Sequence, residues 1–183
     1  MQSLKYAQLL EEKECSFHSS YGVWTELEKL VNFLAETNDS DFLQHMLHAI
    51  GIVGALAVES NSSPMYDRMA QLYIQTANYY YQAGDLQNAF KFYKSAKLVS
   101  EKRLAITTTY ICVECLADAN LGIGLIMNSK EFLESAHTMW SILCEQVSRS
   151  HPDATEQLRR YQKRRAFAAQ CLHSFEQRAP GNC

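Results

Sequence analysis

The sequence predicts an all-α fold made of antiparallel helix pairs, and three observations carry that expectation. Apolar residues recur at intervals of three and four through most of the 183 residues, the period of a helix with one buried face. Breakers are scarce, since three prolines (Pro64, Pro152, Pro180) and seven glycines leave long uninterrupted stretches. Where the periodicity stops, it stops at short clusters of Asn, Asp, Ser, Thr and Gly, residues that make turns and cap helices. Sustained two-residue alternation, the mark of a half-buried strand, is absent from this reading.

Eight helical segments follow in order. Residues 2–14 form a short first helix, which ends near Ser16 to Gly22. The second covers 23–36, with Trp24, Leu27, Leu30, Val31 and Leu34 on one face. Thr37, Asn38, Asp39 and Ser40 make a turn and N-cap cluster before a third helix, from Asp41 to about Val58. The stretch from Glu59 to Pro64 reads as the clearest loop. A fourth helix, 65–82, turns through Ala83, Gly84 and Asp85 into a fifth, 86–101. The sixth spans 104–127 and breaks at Asn128 and Ser129, the seventh covers 130–149, and the eighth covers 153–177. The tail from Arg178 to Cys183 is expected to fray. Short loops between long amphipathic segments place consecutive helices side by side and antiparallel. The pairs are 23–58, 65–101 and 104–149, with the eighth helix as a C-terminal cap, all in a single domain over 1–183.

Composition narrows the function classes. The chain is 47% hydrophobic and 20% charged, ordinary for a globular protein long enough to bury a core. Its net charge of −3 divides unevenly, −7 over residues 1–148 and +4 over 149–183. An acidic body argues against a general nucleic-acid binder, while the basic end suits an acidic partner. The start, MQSLKYAQLLEEKEC, lacks the apolar stretch of a secretory signal. The apolar run from Ala49 to Val58 is ten residues, too short to span a bilayer, so no membrane partner is expected. Six cysteines (Cys15, Cys112, Cys115, Cys144, Cys171, Cys183) have no framework spacing and read as reduced, buried residues of a cytoplasmic or nuclear protein. No Walker or dinucleotide-binding glycine loop appears, and no cofactor is expected.

One segment carries a family resemblance. In AQLYIQTANYYYQAGDLQNAFKFYKSAKLVSEKR, residues 70–103, the small residues Ala77, Gly84, Ala89 and Ala96 alternate with the bulky Tyr73, Tyr80, Leu86, Phe90 and Tyr93. Small side chains at Ala77 and Ala89 let two helix backbones approach, and the rings fill the space beside them. Gly84 and Asp85 supply the turn, because glycine tolerates the left-handed conformation that ends many helices. This pattern resembles a tetratricopeptide repeat. The pairs 23–58 and 104–149 match more loosely, the latter through Phe132, Ala136 and Trp140. Glu101 stands where that family usually has proline, so the second helix of the repeat is expected to run on.

The resemblance implies a right-handed superhelical stack of about three helix pairs whose first helices line a concave groove for a peptide. The implied groove residues are Gln71, Ile74, Gln75, Asn78, Tyr81 and Gln82. Family members that clamp the C-terminal carboxylate of chaperone tails use lysines where Gln71 and Ile74 stand, so chaperone tails are not the expected partner. Three consecutive tyrosines, 79 to 81, span most of a helix circumference. Tyr80 takes the packed position, leaving Tyr79 and Tyr81 partly exposed as binding anchors.

Other motifs read more plainly. Cys112 and Cys115 form a C-x-x-C, tempting as a zinc or redox motif, but mid-helix and without a second pair they read as core cysteines. His45 and His48 lack the further ligands of a metal site. Arg159, Arg160, Lys163 and Arg164 share one face of the eighth helix. That face is either the solvated outside of a cap or a docking surface for an acidic partner or nucleic-acid phosphates, the first being preferred. No catalytic constellation appears. The expected function is therefore an adaptor or scaffold subunit holding a partner polypeptide rather than an enzyme. Its rivals are a structural subunit whose groove is permanently filled and a nucleic-acid-associated protein using the basic helix.

Overall fold

The computed structural model describes residues 42–60, 63–151 and 153–178, and among them the chain forms six α-helices and no strand. They are α1 (Phe42–Ser60), α2 (Ser63–Gln82), α3 (Leu86–Leu104), α4 (Tyr110–Met127), α5 (Lys130–Ser150) and α6 (Thr155–Arg178). The first two expected helices, and with them the first half of the pair 23–58, lie outside the described residues. Backbone packing divides the chain between Ala49 and Ile50, within α1. The unit from Ile50 onward holds the rest of α1 and all of α2 to α6.

Each turn has a chemical cause. Gly84 adopts φ +80°, and the two amides that close the end of α2 are Gly84 N–H to the Tyr81 carbonyl and Asp85 N–H to the Tyr80 carbonyl. Asp85 then caps α3, its carboxylate accepting from the Asn88 amide at 3.0 Å. Asn128, at φ 50°, ends α4 in the same left-handed way.

The structure moves two boundaries. The loop expected from Glu59 to Pro64 is shorter, since α1 runs to Ser60 and α2 begins at Ser63. The sixth helix was expected from residue 104, yet α3 continues through Glu101 to Leu104 and α4 starts only at Tyr110. The β-branched run from Ile106 to Thr109 breaks the helix, and Thr109 caps α4 by accepting from the Cys112 amide at 3.1 Å.

Helices α2 and α3, and likewise α5 and α6, run antiparallel, as their contacts establish. Asp67 near the start of α2 meets Arg103 at the end of α3, and Tyr80 near the end of α2 stacks on Phe92 in the first half of α3. At the other end of the chain Lys130, which opens α5, pairs with Glu176 in the last turns of α6 at 3.1 Å. Two apolar clusters result. One joins α2, α3 and α4 through Ala77, Ala89, Ala96, Cys115 and Ile123. The other joins α4, α5 and α6 through Leu121, Leu133, Trp140, Leu143 and Tyr161.

Helix α4 serves both clusters, and its composition explains how. It is apolar on nearly every side, and its 18 residues have a mean hydropathy of 1.5. By length and composition this helix is apolar enough to cross a bilayer, a longer apolar stretch than the ten residues singled out in the sequence; 56% of it is buried in this structure. A Cβ at Gly122 would run into the Tyr93 ring, so the bare backbone there is what lets α3 lie against α4.

Candidate functional site

The expected groove residues on α2 divide by what they touch. Ile74 is 7% exposed and packs within the α2–α3–α4 cluster, so it contributes to the core and not to an open surface. Asn78 is half-buried and accepts a hydrogen bond from the Tyr93 hydroxyl at 2.6 Å. Gln71 accepts from the Arg68 guanidinium at 2.9 Å. Gln75 and Gln82 are exposed, and Tyr81 is 38% exposed. Gln75, Tyr81 and Gln82 thus remain available. The tyrosine run behaves as its geometry demands, with Tyr80 stacked on Phe92 at 5.5 Å and edge-on to Tyr79 at 6.1 Å.

The four basic residues of α6 also divide. Arg160 reaches across to α4 and binds Glu114 with both carboxylate oxygens at 2.8 Å. Arg164 stands 3.7 Å from Asp118, one turn further along α4. Arg159 pairs within its own helix, with Glu156 at 3.1 Å. Lys163 is exposed and meets no carboxylate among the described residues. Half of the expected basic face is therefore paired with carboxylates of α4, although both arginines stay exposed.

The acidic partners were not singled out as a pair in the sequence, although a signal existed. Glu114 and Asp118 are the two charged residues of a mostly apolar helix and are spaced by four, and Arg160 and Arg164 repeat that spacing in α6. Two ladders of matching period on parallel helices fix their mutual register. Around them lies a polar layer. Tyr161 donates its hydroxyl to Glu114 and accepts from the Gln157 amide at 2.7 Å, while the Arg160 guanidinium lies 5.3 Å from the Tyr161 ring centre. Burial, with the bond to Glu114 adding to it, pushes the Tyr161 phenol up to about 12. Burial pushes the Tyr93 phenol to about 12 as well, with the charge of Asp118 adding to it.

Among the described residues Asp118 is the carboxylate raised furthest. Its side chain is 19% exposed, one oxygen has no hydrogen-bond partner among the described residues, and burial pushes the group up to about 6 against the opposing pull of Arg164.

A second buried polar group closes the far end of the α2–α3 pair. Asp67 and Arg103 approach to 3.4 Å while almost fully buried, and the Thr109 hydroxyl donates to Asp67 at 3.1 Å. Desolvation raises the Asp67 carboxyl despite Thr109 and Arg103, which act in the other direction. Neither residue was anticipated from the sequence, where they are 36 positions apart.

The C-x-x-C pair lands differently from its mid-helix expectation. Cys112 lies in the first turn of α4, a position that favours a thiolate, but it is buried and its thiol donates to the Ser100 carbonyl at 3.1 Å. Burial prevails and pushes the Cys112 thiol up to about 11; the Cys115 thiol is raised further by the same cause. Among the described residues no cluster of three or more His, Cys, Asp or Glu side chains is arranged to hold a metal. His48 is exposed on α1, and the side chain of His45 lies outside what is described.

No protein-family model, curated protein or solved structure matches the chain.

Proposed function

We propose that this chain is a tetratricopeptide-like adaptor or complex subunit that holds a partner polypeptide against the first helices of its pairs. The observation that carries this reading is the surface formed by Gln75, Tyr81 and Gln82 on α2. An aromatic ring 38% exposed, about 100° around the helix from the exposed amides of Gln75 and Gln82, offers apolar area beside groups that pair with a peptide backbone. The small residues Ala77, Ala89 and Ala96, all fully buried where α2 and α3 cross, support the repeat reading. A binding rather than catalytic role is also supported by the cysteine thiols Cys112, Cys115, Cys144 and Cys171, each raised by burial and so poorly suited to nucleophilic chemistry. Nucleic acid is the less favoured partner, because Glu114 and Asp118 already neutralise Arg160 and Arg164.

The test is affinity capture from cytosolic and nuclear extracts, comparing the wild type with a Gln75→Ala/Tyr81→Ala/Gln82→Ala variant of matched helical circular dichroism. Asn78 is left intact because it holds Tyr93. Partners retained by the wild type and lost by the variant support the assignment. Partners held equally by both proteins overturn it.

A further inference from the structure

A pocket of about 270 Å³ opens between the last turns of α4, the start of α5 and the second half of α6. Gly124 and Leu133 are its buried lining, and a Cβ at Gly124 would come within 2.9 Å of the Leu133 side chain. Leu125, Phe167 and Phe175 give it apolar walls, with Phe167 left 46% exposed. Its size falls just below the range of about 300–1,000 Å³ typical of sites for drug-sized molecules, and suits one large side chain.

The charges around it are arranged along one line. Lys163, Phe167, Gln170, Ser174 and Arg178 follow one another at helical spacing on α6, so an exposed cation stands beyond each end of the apolar segment. Neither Lys163 nor Arg178 meets a carboxylate among the described residues, in contrast to Arg160 and Arg164. From Lys163 to Arg178 the axis rises about 22 Å, at about 1.5 Å per residue. An extended chain covers that span in about seven residues.

We propose that this pocket is a docking site for an acidic segment of a partner polypeptide. One large apolar side chain of the partner enters beside Gln170, near the midpoint of the row, and carboxylates about three residues to either side meet Lys163 and Arg178. The proposal rests on the protein-binding reading above and names the chemistry of the partner. Nucleic-acid phosphates fit less well, since the pocket walls formed by Leu125, Leu133, Phe167 and Phe175 are aliphatic and aromatic.

The probe is a fluorescein-labelled synthetic nonapeptide with a central tryptophan, a glutamate three residues to either side and neutral polar residues elsewhere. Its binding to the full chain is followed by fluorescence anisotropy. Saturable binding is expected, weakened tenfold or more by Ser174→Trp, which fills the pocket from an exposed helix, and by Phe167→Ala. A peptide with lysine in place of both glutamates is expected to bind Lys163→Glu/Arg178→Glu better than the wild type. Absence of saturable binding, equal binding to the wild type and Ser174→Trp, or displacement of the peptide by a single-stranded oligonucleotide of equal charge overturns the proposal. Tyr81→Ala separates the two assignments. It removes the capture proposed for α2 but leaves the nonapeptide bound, so either site can fail without the other.

Discussion

The Tyr93 hydroxyl donates to the side-chain oxygen of Asn78 at 2.6 Å, tying α3 to α2. The ring of the same tyrosine covers Gly122 of α4, so one side chain joins three helices. Tyr93→Phe keeps the ring but leaves Asn78 without its donor, and is expected to lower stability by about 1 kcal/mol. Tyr93→Ala also opens a cavity and is expected to lower it by about 3–5 kcal/mol. Urea denaturation of both variants checks the ordering; equal losses would mean that the hydroxyl, not the ring, carries the contact.

Gly122→Ala should destabilise by about 1–3 kcal/mol, because the new methyl and the Tyr93 ring require the same space. In a Tyr93→Ala background the same substitution should become neutral or stabilising, since alanine exceeds glycine in helix propensity by about 1 kcal/mol. A double-mutant cycle measures this change of sign.

Asp118 supplies a pH dependence. Its folded value of about 6 lies above the ordinary 3.8, so the folded chain binds a proton that the unfolded chain has already released. Stability contributed by this group is therefore present at low pH and lost as pH rises from about 4 to about 6. Asp118→Asn is expected to stabilise the protein above pH 6 by on the order of 2 kcal/mol, with the gain fading toward pH 4. Melting temperatures at several pH values test it: a difference between variant and wild type that stays flat across the window would assign the titration elsewhere.

The buried pair at the other end of α2 behaves differently. Arg103→Met removes the cation beside Asp67 and is expected to destabilise by about 3–5 kcal/mol, because a desolvated carboxylate is left uncompensated. Asp67→Asn in the same background should recover most of that loss. Chemical denaturation of the two single variants and the double variant gives the comparison; strictly additive losses would show that the two residues do not interact.

Much of the fold was legible in the sequence because it follows from period and punctuation. Gly84 with Asp85, and Asn128 with Ser129, were read as turns for the chemistry they display. The start of α4 was misplaced because Ile106 to Thr109 holds no glycine or proline to mark a break, and only the cap at Thr109 shows where the new helix begins. The site was less legible. Asn78 and Ile74 have the right side chains for a surface, but the partner that occupies Asn78 is Tyr93, and the packing that hides Ile74 comes from the neighbouring helices. Arg160 and Arg164 read as part of a solvated outer face and they are exposed, but the sequence gives their spacing without the carboxylates they meet. Those partners, Glu114 and Asp118, lie more than forty positions earlier.

Helix α4 has a further consequence, for synthesis of the chain. Emerging from the ribosome after α3, it covers the open side of the α2–α3 pair, yet its own far side stays bare until α5 and α6 are made. A translation product stopped near Asn128 would thus end in an apolar segment of bilayer length with half its surface uncovered. Such a fragment would leave bare the side of α4 that packs against Leu133, Trp140 and Tyr161, and α5 and α6 are what keep that side from water.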